Sequence, residues 1–226
     1  QPVMSLSMFS GGVGFINGSA SLSDPEYTDR LRMFLTDLEE HRADGLCASI
    51  DRATFLDHVK IKETGRYLPN VVENTPNEII ERFPNLDFSD YNRWFDLALE
   101  RGLTKLFIST SSVNWWVPMI NWLANKELDV ESKEFERYYI WVWHEFNEYL
   151  RDIGYPEDNL FAKVMDEFAS SEIPKYIFTA SLMKEAGYRP YSTITGFIPR
   201  TPEDIRKLNP WVDQWLLQLM SIDYFK

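Results

Sequence analysis

With 35 acidic against 23 basic residues, the 226-residue chain carries a formal net charge of −12, which argues against nucleic acid and anionic membrane as partners. Its one cysteine, Cys47, excludes a disulfide framework and a cysteine-built metal site, and no run of roughly 18 apolar residues reads as a transmembrane helix. Aromatic residues make up 15% of the chain, eight of them Trp, which suits a large core or a surface on which flat ligands such as sugar rings stack.

Hydrophobic periodicity alternates between two element types. "VMSLSMF" (3–9) reads as a strand. A Gly/Ser-rich loop, "SGGVGFINGSASLS" (10–23), follows it. Asp24 is a candidate N-cap and Pro25 a first helical residue, leading a helix whose Leu31, Phe34, Leu35 and Leu38 fall at helical spacing. Gly45 is expected to close that helix, and "LCASI" (46–50) reads as the second strand, with Cys47 buried in it.

Residues 51–88 interrupt the rhythm. A hairpin-like insertion over about 52–80 is expected there, turning at Glu63-Thr64-Gly65. The alternation then resumes. A helix with Ser89 as a candidate N-cap carries Trp94, Phe95, Leu97 and Ala98 and ends at Gly102. "LTKLFIS" (103–109) is a strand, and a long helix runs from Ser132 to Ile153, stopped by Gly154. The run 160–166 is a strand, and a helix follows from Ser171 to Ala186, stopped by Gly187. "YSTITGF" (191–197), a short helix from Thr201 to Leu208 and the run 212–222 complete the series.

Helix, glycine, strand, repeated, is the grammar of parallel βα units. Apolar runs suit strands buried on both faces. Six strands of this kind are read, so the expected fold is α/β, of the (β/α)₈ TIM-barrel type but incomplete, with all of 1–226 in one partial barrel domain. An eight-stranded barrel needs two more units, so a further domain or chain is expected to complete it. A doubly wound open sheet is the alternative, although "SGGVGFING" lacks the helix that its phosphate loop requires.

In a βα barrel, the loops after the strands form the working face. The strand ends offer Asp51 and Arg52, then Ser109, Asn114, Trp115 and Trp116, then Asp166 and Glu167, then Thr195, and finally Asp223. Carboxylates beside aromatics favour glycoside chemistry, in which a proton reaches the leaving oxygen while positive charge grows at the anomeric carbon. The eight residues other than the Asp-Glu pair are candidate sugar contacts. Histidine and cysteine are missing from these ends, which weakens zinc chemistry and nucleophilic triads; no metal or cofactor is expected. His41 and His144 sit on expected helices and His58 in the insertion, where structural or solvated roles are ordinary. Asp166 and Glu167 are adjacent, so in a regular strand they point to opposite faces. That fits poorly with two carboxylates flanking a bond. It fits better with a substrate-assisted route, in which the sugar's own 2-acetamido oxygen attacks.

Two segments carry a resemblance. "LDFSDYNRWFDLALERG" and "WHEFNEYLRDIGYPEDNLFAKVMDEFASSEIPKYIFTASLMKEAG" resemble glycoside hydrolase family 123 and its uncharacterised relatives, and "FLTDLEEHRADGLCASI" is similar to an earlier unit of that family. The resemblance spans roughly residues 3 to 200. It implies a retaining β-N-acetylgalactosaminidase or related β-N-acetylhexosaminidase, with Asp166 orienting the acetamido group and Glu167 as general acid/base. A secreted or periplasmic location is implied by the resemblance alone. The chain departs from the pattern at Phe168, where many relatives have proline, and it lacks the last two βα units and the β-sandwich domain of family members. The competing expectation is a non-catalytic βα-barrel module that binds glycan or joins a larger complex.

Overall fold

The computed structural model describes residues 7–8, 25–40, 43–49, 58–68, 83–110, 113–165, 168–194 and 201–217. Asp51, Arg52, Asp166, Glu167, Thr195 and Asp223 lie outside the described residues, as do Asp24, His41 and the loop 10–23.

The fold is α/β. Six strands form one parallel sheet: β1 (Ser7–Met8), β2 (Gly45–Ser49), β6 (Lys105–Ser109), β7 (Leu160–Lys163), β8 (Arg189–Ile194) and β9 (Gln214–Leu217). They lie side by side in chain order, β1-β2-β6-β7-β8-β9. No reversal occurs among the described strands, so the switch point of a doubly wound sheet is absent from them. Each crossover contains a helix: α1 (Pro25–Glu40), α2 (Asn92–Leu99), α3 (Val117–Ala124) with α4 (Lys133–Asp152), α5 (Ile173–Glu185) and α6 (Pro202–Leu208).

Alternation along each strand assigns its two faces. Leu46, Ala48, Leu106, Ile108, Leu160 and Ala162 join the large core that the helices fill. Their neighbours Cys47, Phe107 and Phe161, with Tyr191, form a separate cluster made of strand residues alone. Parallel strands read as apolar because both faces are buried.

The second face is concave. Cys47 and Tyr191 sit on β2 and β8, which are separated by β6 and β7. In a flat sheet with side chains perpendicular to it, their tips would be about 14 Å apart, three strand spacings of ~4.8 Å. The Cys47 Sγ instead lies 3.9 Å from the Tyr191 hydroxyl. Rings on the alternate strands β6 and β8 also meet, Phe107 and Tyr191 being 5.5 Å apart edge to face. The sheet therefore curls away from its helices.

The long α4 shows why the helical layer forms. Ser132 accepts a hydrogen bond from the Phe135 N–H at 3.2 Å, which satisfies one orphan donor of the first turn. Phe135, Tyr139, Val142, Trp143, Phe146 and Leu150 recur at three- and four-residue spacing and are all fully buried. Gly187 closes α5 with φ +92° and accepts through its carbonyl a 3.0 Å hydrogen bond from the Asn147 side chain.

Several expectations are corrected. Gly45 does not close α1, which ends at Glu40; it opens β2, where an added Cβ would sit 3.0 Å from the Phe107 ring. Ser89 makes no capping bond, and a 3₁₀ turn over Ser89–Tyr91 leads into α2 instead. The strand expected at 160–166 ends at Lys163, and the one expected at 191 starts at Arg189. The insertion holds an expected antiparallel pair, β3 (Lys60–Ile61) and β4 (Arg66–Tyr67), and an unexpected third strand, β5 (Leu86–Asp87), in the order β4-β3-β5. Helix α3 was also unforeseen.

Candidate functional site at the strand ends

At one level of the register, residues at the ends of β2, β6 and β7, in the middle of β8 and at the start of β9 stand side by side. Register aligns Ser49 with Ser109, Ser109 with Lys163, Lys163 with Tyr191 and Tyr191 with Gln214. Every member is polar. The row beneath it, Cys47, Phe107, Phe161 and Arg189, is mainly apolar, with Phe107 and Phe161 stacked at 4.7 Å. A chain that buries both faces of a parallel sheet has no packing reason to end β2, β6 and β7 on hydrogen-bonding groups. Open-ended parallel sheets bind ligands beyond the C-terminal ends of their strands.

Lys163 is the unusual member. Only 2% of it is exposed. Its backbone is pinned to β6, because its carbonyl accepts from both the Thr110 N–H (3.2 Å) and the Thr110 hydroxyl (3.0 Å). The Thr110 carbonyl in turn accepts from the Trp116 indole at 2.7 Å. Burial pushes the Cys47 thiol up, and the Tyr191 hydroxyl and the Lys163 charge oppose that shift less strongly.

The segment beyond β6 separates two tryptophans. In the 3₁₀ turn Val113–Trp116, Trp115 is 63% exposed and Asn114 is also exposed, whereas Trp116 is fully buried. The Trp116 ring meets Trp143 edge to face at 4.9 Å. Trp116 thus serves the core, and Trp115 is open to solvent. Ser109 stands in the polar row, half-buried.

Asp166 and Glu167 fall in the chain between Met165 and Phe168, both buried. Phe168 stacks on Tyr176 at 4.7 Å, so the residue that departs from proline has a packing role. After it, the Glu172 carboxylate accepts from the Ala169 N–H at 2.8 Å, and the Ser170 hydroxyl donates to Asp204 at 2.8 Å. The chain is anchored on both sides of the acidic pair.

Of the ten residues expected at the site, the described structure places Ser109 in the polar row, Asn114 and Trp115 exposed in the turn after β6, and Trp116 in the core. Lys163, Tyr191 and Gln214 were missed. A signal for Lys163 was present: "GLCAS", "KLFIS" and "LFAK" are short apolar runs that each end on a polar residue. Compared with protein-family models and with curated proteins, the chain matches none.

Proposed function

We propose that the chain forms the greater part of a (β/α)₈ barrel and hydrolyses glycosides of 2-acetamido sugars, with carbohydrate bound at the C-terminal ends of the strands. The observation that carries this reading is the polar register level that closes β6 and β7, where Lys163 stands three residues before Asp166 in the chain. The sequential strand order and the curvature support a barrel wall, which two further βα units from another segment or chain would close. In the proposed step, Glu167 protonates the leaving glycosidic oxygen while the 2-acetamido oxygen attacks the anomeric carbon. The C–O bond to the leaving group breaks as the cyclic oxazolinium forms. Asp166 accepts a hydrogen bond from the acetamido N–H, and Glu167 then takes a proton from the water that opens the ring.

Hydrolysis of an aryl 2-acetamido-2-deoxy-β-hexoside is the test. Glu167→Gln is expected to lower kcat by about 100-fold or more with the thermal midpoint unchanged, because the amide cannot transfer the proton. An inactive wild-type chain, or a fully active variant, would defeat the reading.

In this reading Trp115, exposed in the turn after β6, stacks on a sugar face. Trp115→Ala is expected to leave the unfolding free energy within about 0.5 kcal/mol, since the side chain covers little of the core, while raising KM for the glycoside. An unchanged KM would remove Trp115 from the binding surface.

A further inference from the structure

Thr110 is fully buried, and each hydrogen-bonding group it carries is used. It follows the last residue of β6 and directs both of its donors at one acceptor: the Lys163 carbonyl takes the N–H at 3.2 Å and the hydroxyl at 3.0 Å. The N–H bond continues the parallel ladder, and any residue but proline could supply it. The hydroxyl bond is particular to the side chain, and it fills the second lone pair of the carbonyl at which β7 ends. The Thr110 carbonyl is held in turn by the indole of the buried Trp116 at 2.7 Å, so the clamp stands on the core. Packing alone does not call for threonine here, because a valine would fill nearly the same volume with no hydroxyl to satisfy. Beyond Lys163 the chain leaves the ladder but not the interior, since Val164 and Met165 are buried. Phe168 is then fixed by stacking on Tyr176 at 4.7 Å. Asp166 and Glu167 are the two residues of the sequence between Met165 and Phe168.

We infer that Thr110 is a positioning residue for the proposed hydrolysis: by fixing the carbonyl at which β7 ends, its hydroxyl sets the direction from which Asp166 and Glu167 reach the sugar. The inference rests on the reading that this pair is catalytic, and it adds a residue that touches no substrate. The effect can be large, because misplacing a reacting group by about 1 Å costs about 100-fold in rate.

Two substitutions in the full chain test it. Thr110→Val keeps the ladder bond and removes the hydroxyl, whereas Thr110→Ser keeps both donors; Thr110→Ala takes the place of the valine variant if that one does not fold. With an aryl 2-acetamido-2-deoxy-β-hexoside, Thr110→Val is expected to lower kcat about 10-fold or more with KM within about 2-fold of wild type. Thr110→Ser is expected to recover most of that loss. Amide hydrogen exchange of the peptide 164–168, measured without ligand, is the second readout. It is expected to be about 5-fold faster in Thr110→Val and near wild type in Thr110→Ser, with the protection of α4 unchanged. An unchanged kcat in the folded valine variant would overturn the inference and leave the glycoside reading intact. So would a loss of kcat that Thr110→Ser shares in full, or exchange at 164–168 that matches wild type. A wild-type chain that hydrolyses no such glycoside would defeat the glycoside reading. Faster exchange in Thr110→Val would then still support Thr110 as the anchor of this segment, and unchanged exchange would defeat both.

Discussion

Trp143→Ala is expected to lower the unfolding free energy by about 3–5 kcal/mol. Trp143 is fully buried on α4, where the helical layer meets the sheet. Its ring lies edge to face against Trp116 at 4.9 Å, against Phe146 at 6.2 Å and against Tyr188 at 6.0 Å. Rigid aromatic neighbours held on three different segments cannot collapse into the space an indole leaves, so the cavity term adds to the lost transfer free energy. The change also removes edge-to-face contacts, each worth about 0.5–1.5 kcal/mol beyond area burial. Urea denaturation followed by far-UV circular dichroism would read it as a midpoint lowered by about 1 M or more with the slope unchanged. A loss under about 1 kcal/mol would mean that α4 does not pack as described. Trp116 acts as a relay here: buried against Trp143, it fixes Thr110, which holds the carbonyl of Lys163. Core packing and the geometry of the polar row are thus linked through three residues.

The parallel strands were legible because burial on both faces makes each a short apolar run, and the helices because their apolar residues recur every three or four. Gly102, Gly154 and Gly187 all have positive φ, as their places after helices implied. Helix α3 was hidden because "VPMINWLA" is apolar nearly all round and shows no amphipathic spacing. Its local signals were Pro118 in the first turn and Asn125, whose φ of +53° ends it. Gly45 misled because a glycine after a helix suggests a stop, whereas this one allows β2 to approach the Phe107 ring. The strand β5 has only two residues and gains its identity from pairing with β3, which no local pattern encodes.

The site was legible to a different degree. Reading the residues after each strand singled out Asn114 and Trp115, which are exposed in the turn after β6. It could not separate Trp115 from Trp116, because adjacent residues in an unassigned turn have no readable facing. Lys163 was passed over as part of an apolar run. Its meaning depends on register with Ser109 and Tyr191, on strands distant in sequence, and on curvature that makes their shared face an interior.

Raising the pH above about 10 is expected to unfold the chain cooperatively. Tyr139, Tyr155, Tyr176 and Tyr188 are buried, and burial is the leading cause that raises each phenol well above its usual range. Smaller effects act on three of them. Trp143 and Thr110 oppose the shift at Tyr139, Asp96 adds to it at Tyr155, and at Tyr176 Ser192 opposes while Asp213 adds. A folded-state pKa above the unfolded one gives stability that is complete below the unfolded value, near 10, and is lost as pH rises beyond it. Once the unfolded chain ionises, each such phenol costs about 1.4 kcal/mol per pH unit. Four together remove about 6 kcal/mol by pH 11 and about 11 by pH 12, against a typical total of about 5–15 kcal/mol. The transition should therefore fall between about pH 11 and 12 for a chain of ordinary stability. The increasingly negative net charge pushes in the same direction. Phenolate absorbance and circular dichroism, recorded in one titration, should change together for these residues. Tyr188→Phe is expected to move the midpoint upward, because the Tyr188 hydroxyl has no hydrogen-bond partner among the described residues and its removal deletes one titrating group without losing a contact. Phenols that all titrate near pH 10 while the circular dichroism stays native would show that the aromatic layer is open to water.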